Sequence, residues 1–268
     1  MKKLQRHLCI CLIIIIAVGC GNPQDEKIVA VQKEIIEEVV DSALEARVRA
    51  MMGVGFPKLN NDNAQSFLRE WGEGNEDRII AMETKYGEIV LELFDDVPLH
   101  RLNFLYKIFR QYYSPSEFIR VVPDFVVQGG NSEEERQQQQ RFLIGEHSLP
   151  SEFSSKYIHT RGSLAMSRSY TNNPQKKSSS YDFYIVTGRK ILGAEIAGVE
   201  LEKGFVYTDA QKKLYREIGG TPHLDYEHTV FGRVISGMDV VEKLAATPTD
   251  NSDWPAERLE VNMRSATN

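Results

Sequence analysis

The residues Phe118-Ile119-Arg120-Val121-Val122-Pro123-Asp124-Phe125-Val126-Val127-Gln128-Gly129-Gly130 constrain the fold of this chain more than any other segment. Apolar side chains alternate over 118–122 and again over 125–128, with Pro-Asp between them. That pattern predicts two short strands joined by a turn, because proline cannot donate to a strand ladder and Pro-Asp favours reversal. Arg120 and Gln128 then stand on neighbouring strands among hydrophobic residues, and the glycine pair ends the second strand. A lone arginine on a half-buried strand is by itself an ordinary edge residue. The interest lies in its company.

More strands precede this one. Residues 79–84 and 88–94 read as a hairpin turned at Tyr86-Gly87, and Pro98 opens a helix with Leu99, Leu102, Leu105 and Phe109 on one face. Upstream, Ile28, Val31, Ile35, Val39, Ala43 and Met51 recur at helical spacing between acidic residues, which predicts an amphipathic helix over 27–52. Its apolar stripe packs on the adjoining domain or meets a protein partner. Asp62 or Asn63 is placed to cap a short second helix through Trp71.

The N-terminus is of another character. Lys2, Lys3 and Arg6 precede an apolar run over 8–18, which Ala17-Val18-Gly19-Cys20 closes. The run is shorter than the roughly 20 residues needed to cross a bilayer core, so it reads as a targeting signal. The closing tetrapeptide resembles the bacterial lipoprotein box, whose cysteine is acylated and begins the mature protein. The expected organisation is a signal peptide over 1–19, a lipid anchor at Cys20 with helix and linker over 20–77, and a main domain over 78–268. The expected location is the cell envelope, and Gly21, where aspartate would favour inner-membrane retention, points to the outer membrane, facing the periplasm or the exterior. Cys9, Cys11 and Cys20 are the only cysteines, so no disulfide or thiolate site is available downstream. A net charge of -6 without a basic stripe argues against a nucleic-acid partner.

The 118–130 run resembles the cyclophilin signature Phe-His-Arg-Val-x-Pro-x-Phe-x-x-Gln-Gly-Gly, with Ile119 in place of the histidine. The likeness extends over residues 79 to 264. Gly87-Glu88-Ile89 through Leu93-Phe94, Val97-Pro98 and Asn103-Phe104 match the family's opening, and Gly162-Ser163-Leu164-Ala165-Met166-Ser167 is similar to its Gly-x-Leu-x-Met-Ala stretch. Tyr181-Asp182-Phe183-Tyr184-Ile185 stands at its Ser-Gln-Phe-Phe/Tyr-Ile segment, with the serine and glutamine replaced. Pro222-His223-Leu224-Asp225 and His228-Thr229-Val230-Phe231-Gly232-Arg233-Val234 match the segment closing the proline pocket, and Gly237-Met238-Asp239-Val240-Val241 leads into a second helix.

What the resemblance implies is a mainly β fold, a closed eight-stranded antiparallel barrel capped by two helices, here with an N-terminal helical extension. It also implies peptidyl-prolyl cis/trans isomerisation of proline-containing polypeptides. Arg120 would supply the catalytic cation, Gln128 would hold the carbonyl before the proline and help fix Arg120, and Phe125 would complete the catalytic group. Val126, Tyr184 and Leu224 would wall the pocket, and His228 would pack on the proline. Phe118, Ser167, Asp182 and His223 would complete the substrate side, and Asp182, if inward, would reach Arg120. Asn103 would satisfy backbone groups at a barrel end. The reaction implies no cofactor and no metal. A catalytically weak proline-peptide binding module or chaperone is the alternative, and a structural envelope component with the barrel as scaffold is a third reading.

Other chemistry finds no support. The six histidines form no helix-spaced metal pair. His100 and His147 read as surface residues and His159 as turn support. No Gly-x-Ser-x-Gly elbow occurs. The tract 133–141 and the lysine-serine-rich stretch 172–179 read as solvated loops, and 188–221 as a loop insertion.

Overall fold

The computed structural model describes Ser42 and residues 44–266. Eight strands close into an antiparallel barrel in the order β1 (Ile79–Thr84), β10 (Leu259–Ser265), β3 (Ser116–Val122), β4 (Val126–Asn131), β8 (Phe183–Val186), β6 (Ser163–Met166), β9 (Val230–Ser236) and β2 (Gly87–Leu93). Closure leaves no unpaired edge among these strands. A separate ribbon pairs β5 (Ser148–Leu149) with β7 (Ser178–Ser179). Both hairpins predicted from the strand pattern are present, and so is the closed barrel that the resemblance implied.

Strand side chains point alternately inward and outward. Phe183 and Ile185 of β8, Val127 of β4, Leu164 and Met166 of β6 and Phe231 of β9 belong to one core cluster. Their neighbours Val126, Tyr184, Val186, Ala165 and Val230 are also buried, in a second cluster on the other face. A barrel wall apolar on both faces is covered on its outside, and that cover makes the site.

Helix α2 (Pro98–Phe109) and helix α6 (Met238–Ala245) cap the barrel, α6 contributing Val240, Val241 and Leu244 to the core. The one-faced stripe expected of α2 is too narrow. Every residue from Leu99 to Ile108 is buried, while Phe109 is exposed. Helix α1 (Ala64–Trp71) covers the outer side of α2, with Phe67 and Trp71 rings 5.2 and 5.1 Å from Tyr106. Asn63 precedes α1 without a side-chain cap; its Oδ1 accepts Asn60 N instead. Leu59, Ala64 and Leu68 lie in the main core, so residues preceding the first strand help build the domain. Residues 44–51 are helical; the rest of the helix expected over 27–52, and Cys20, lie outside the described residues.

Three stretches expected as loops are ordered differently. The charged tract is helix α3 (Glu135–Ile144) over most of its length. It docks through polar side chains rather than an apolar stripe: buried Gln137 donates to Ser116 Oγ at 2.8 Å and Gln140 to Met51 O at 2.9 Å. The 188–221 insertion holds two helices, α4 (Gly193–Lys203) and α5 (Asp209–Glu217), closed over Ile158, Ile191, Ile196, Tyr207 and Tyr215. The lysine-serine stretch ends in β7.

The histidines expected at the surface are buried as well. His100 Nδ1 lies 2.6 Å from Glu152 Oε2 and its Nε2 lies 2.9 Å from Ser178 Oγ. His147 Nε2 sits 3.1 Å from Asn103 Oδ1, and burial, then the nearby Lys107, hold its pKa down to about 2. Asn103 Nδ2 donates to Ser180 O at 2.8 Å, so this residue does bridge backbone at the barrel end.

Candidate functional site

The β3–β4 hairpin carries the site because its register is interrupted twice. Glu117 pairs with Asn131, Phe118 with Gly129, and Arg120 with Gln128. Gly130 is therefore the extra residue on one strand and Ile119 the extra residue on the other. Such a bulge reverses which face the following side chains take. Phe118 and Val121 turn into the barrel core, while Arg120, two residues after Phe118, is half-exposed outside. Phe118, expected at the substrate side, is instead a core residue, 2% exposed and packed against Phe183. Gly130 allows the second bulge: its φ is +99°, and a Cβ there would lie 2.2 Å from Tyr181 O.

Outside the barrel, Val126, Tyr184 and Leu224 come together with Ala165, Val186 and Val230, and Phe125 packs against them. The Phe125 ring lies 5.5 Å from His223, nearly parallel at 18°, and 5.8 Å from the Arg120 guanidinium carbon. His228 stands 5.5 Å from Tyr184, edge to face. The structure brings Arg120, Phe125, Val126, Tyr184, His223, Leu224 and His228 together around one apolar cluster, the hollow in which the resemblance implies that a proline ring would sit. Gln128 sits opposite Arg120 and beside Tyr184 in the sheet, half-buried. No hydrogen bond joins its amide to Arg120; the guanidinium is held elsewhere.

The carboxylate on Arg120 is Asp253. Its Oδ2 accepts from Nη2 at 3.0 Å and from Nε at 3.2 Å. Asp182, expected within reach of Arg120, does not meet it. Its Oδ2 accepts Ser179 Oγ at 2.8 Å, and its charge is felt by Tyr112, Tyr113 and Arg141. A two-residue ribbon ties Asp182 down, since Ser167 N donates to Asp182 O and Ser179 N donates to Ser167 O. Ser167 is thereby fixed through its backbone beside the 178–182 segment.

Behind the hollow lies a buried polar chain that the sequence did not announce. Asp225, 2% exposed, accepts His159 N and His159 Nδ1 on one oxygen, both at 2.8 Å. Its other oxygen accepts the Tyr207 hydroxyl at 2.6 Å and the Tyr215 hydroxyl at 2.5 Å. On its other side His159 Nε2 lies 3.0 Å from the Tyr184 hydroxyl. The Tyr184 hydroxyl is thus engaged by His159, and its ring meets His228 edge to face. Burial first, and then the Asp225 charge, push Tyr207 and Tyr215 above the ordinary phenol range; burial does the same to Tyr184. His159 is far more than turn support: it couples the helical insertion to the pocket wall.

His228 is fixed in the same manner. Nδ1 donates to Met166 O at 3.1 Å, and Nε2 accepts the Tyr170 hydroxyl at 2.8 Å. Burial, with a smaller contribution from His159, lowers its pKa to about 4, so the ring is neutral at neutral pH. The hollow therefore offers apolar and aromatic surface, with the half-exposed Arg120 guanidinium beside Phe125.

Comparison with known proteins identifies the family and the fold. The family model described as cyclophilin type peptidyl-prolyl cis-trans isomerase/CLD matches residues 79–268. A Staphylococcus saprophyticus protein described as a peptidyl-prolyl cis-trans isomerase is 32% identical over 210 residues, covering 77% of this chain and 95% of its own. A Streptococcus pyogenes protein described as a bifunctional phosphatase/peptidyl-prolyl cis-trans isomerase is 32% identical over 248 residues, covering 91% of this chain. The chain spans only 48% of that relative's length. Among solved structures, a Cryptosporidium parvum cyclophilin type isomerase, crystallised in the presence of the dipeptide Ala-Pro, superposes with a TM-score of 0.51 at 20% identity, covering 71% of this chain and all of that one.

Proposed function

The chain belongs to the cyclophilin-type peptidyl-prolyl cis-trans isomerase family, and from that premise we propose that it catalyses X-Pro isomerisation in envelope or secreted polypeptides, with Arg120 as the electrostatic centre. The observation that carries this reading is a half-exposed cation, Arg120, beside a cluster of apolar and aromatic side chains. Twisting a prolyl amide opposes a barrier of roughly 18–20 kcal/mol and breaks no covalent bond. As planarity is lost, the proline nitrogen becomes pyramidal and gains a lone pair. A fixed positive charge beside it stabilises that state more than the planar ground state, which is what catalysis requires.

The assignments follow the chemistry. The proline ring enters against Phe125, Val126, Tyr184 and Leu224, with His228 packing on it and His223 extending the aromatic surface. Gln128 has an uncommitted amide, available to the carbonyl preceding the proline. The dipeptide Ala-Pro, in whose presence the C. parvum isomerase was crystallised, is a molecule of the proposed substrate class. The test is turnover of X-Pro peptides by the purified chain. Acceleration of cis/trans exchange is expected, and tight peptide binding without turnover would favour a binding module instead.

The same reading places the protein at the envelope through Cys20. Cys20→Ser is expected to abolish acyl labelling and to move the protein from the membrane to the soluble fraction. Membrane association of an unacylated product would defeat the anchor.

A further inference from the structure

We infer that Asp253 is a positioning residue for this isomerase, a clamp that orients the Arg120 guanidinium; the inference rests on the role of Arg120 proposed above. The geometry is one-sided. A single oxygen, Oδ2, accepts from Nε and Nη2, so one edge of the guanidinium is committed and Nη1 is left without a hydrogen bond among the described residues. A side chain with Arg120's freedom gains most from such a restraint, because an unordered arginine must give up its rotamer freedom when substrate arrives.

The turn that presents Asp253 is itself built. Asp250 Oδ1 accepts Ser252 N at 2.8 Å and Trp254 N at 3.0 Å, and Asp250 N donates to Trp254 O at 2.9 Å. The loop is then hung on the catalytic strand: Val121 N donates to Asp253 O at 2.9 Å. Asp253 occupies the left-handed region with φ +63°, a conformation that costs a non-glycine residue roughly 1 kcal/mol or more. Glycine would adopt it without that cost. Aspartate is among the few non-glycine residues that visit this region, and here its side chain contacts Arg120.

That conformation also supplies the experiment. Asp253→Gly removes the carboxylate while relieving the backbone, so the thermal midpoint is expected to hold or rise. The kcat/KM for X-Pro peptides is expected to fall about fivefold, mainly in kcat, the effect of losing one half-exposed charge pair from the transition state. Asp253→Asn tolerates the same conformation and keeps an acceptor oxygen, so its loss is expected to be smaller. In an Arg120→Ala background the glycine change is expected to do nothing further, because the group it orients is gone. Wild-type or faster turnover in Asp253→Gly, beside a strongly impaired Arg120→Ala, would overturn the clamp and leave the function standing. An equal fivefold loss in the Arg120→Ala background would also overturn it, as an effect not passing through Arg120. Undiminished turnover in Arg120→Ala alone would remove the reading of Arg120, and the clamp with it.

Discussion

Arg120→Ala is expected to lower kcat/KM for X-Pro peptides by about 100-fold or more, the scale seen when one preorganised electrostatic donor is removed. Each tenfold corresponds to only about 1.4 kcal/mol of transition-state stabilisation. The apolar hollow does not depend on the arginine: its walls are set by the outward residues of β4, β8, β6 and β9 and by Leu224. Peptide binding should therefore weaken far less than turnover. Stability should barely change, since the Arg120 and Asp253 side chains are 39% and 41% exposed and such pairs contribute about 1 kcal/mol or less. Arg120→Lys is expected to recover little. A lysine ammonium cannot present one planar edge to Asp253 while leaving a second for substrate. Turnover within a few-fold of wild type in the alanine variant, measured by exchange spectroscopy on a folded sample, would exclude the arginine mechanism.

The strands and hairpins were legible because they depend on local periodicity, and the barrel and most of the hollow because motifs spread along the chain resemble those of a known family. Tyr184 could be assigned to the hollow because the segments around Tyr184 and Leu224 each match the family over a few consecutive residues. What escaped depended on register or on distance in sequence. Phe118 and Arg120 share parity, so alternation puts them on one face; only the extra residue Ile119 separates them. Asp253 is 133 residues from Arg120, and nothing in Asp250-Asn251-Ser252-Asp253 announces its partner. Helix α3 was hidden because it docks by glutamine amides. Helix α5, by contrast, carried a readable start in Thr208-Asp209-Ala210-Gln211: Thr208 Oγ1 accepts Gln211 N at 3.2 Å while Gln211 Oε1 accepts Thr208 N at 2.9 Å. The buried histidines escaped for a related reason, since each is satisfied by a residue far along the chain, Glu152 for His100 and Asn103 for His147.

Asp225→Ala is expected to be the most destabilising single change in the pocket region. The carboxylate accepts four hydrogen bonds, two from His159 and one each from Tyr207 and Tyr215. Its removal strands the Tyr215 hydroxyl, a backbone amide and an imidazole N–H, at about 1–3 kcal/mol for each donor that finds no water, while the Tyr207 hydroxyl keeps Pro222 O at 3.2 Å. Against this stands the relief of no longer burying an anion, which offsets part of the loss. A net cost of about 3–5 kcal/mol is the expected balance, a large fraction of the roughly 5–15 kcal/mol that holds a domain folded. The carboxylate joins α4 and α5 to the pocket, so insertion and wall should loosen together. Tyr207→Phe and Tyr215→Phe remove one donor and leave the acceptor otherwise satisfied, so each should cost about 1 kcal/mol. Asp225→Asn keeps one oxygen but turns an NH2 toward groups that are themselves donors, and should fall between. Urea unfolding followed by far-UV circular dichroism would rank the four variants: alanine lowest, asparagine next, the two phenylalanines nearest wild type. If Asp225→Ala unfolds at the same urea concentration as either phenylalanine variant, the carboxylate is not the centre of that network, and the coupling of the insertion to Tyr184 through His159 fails with it.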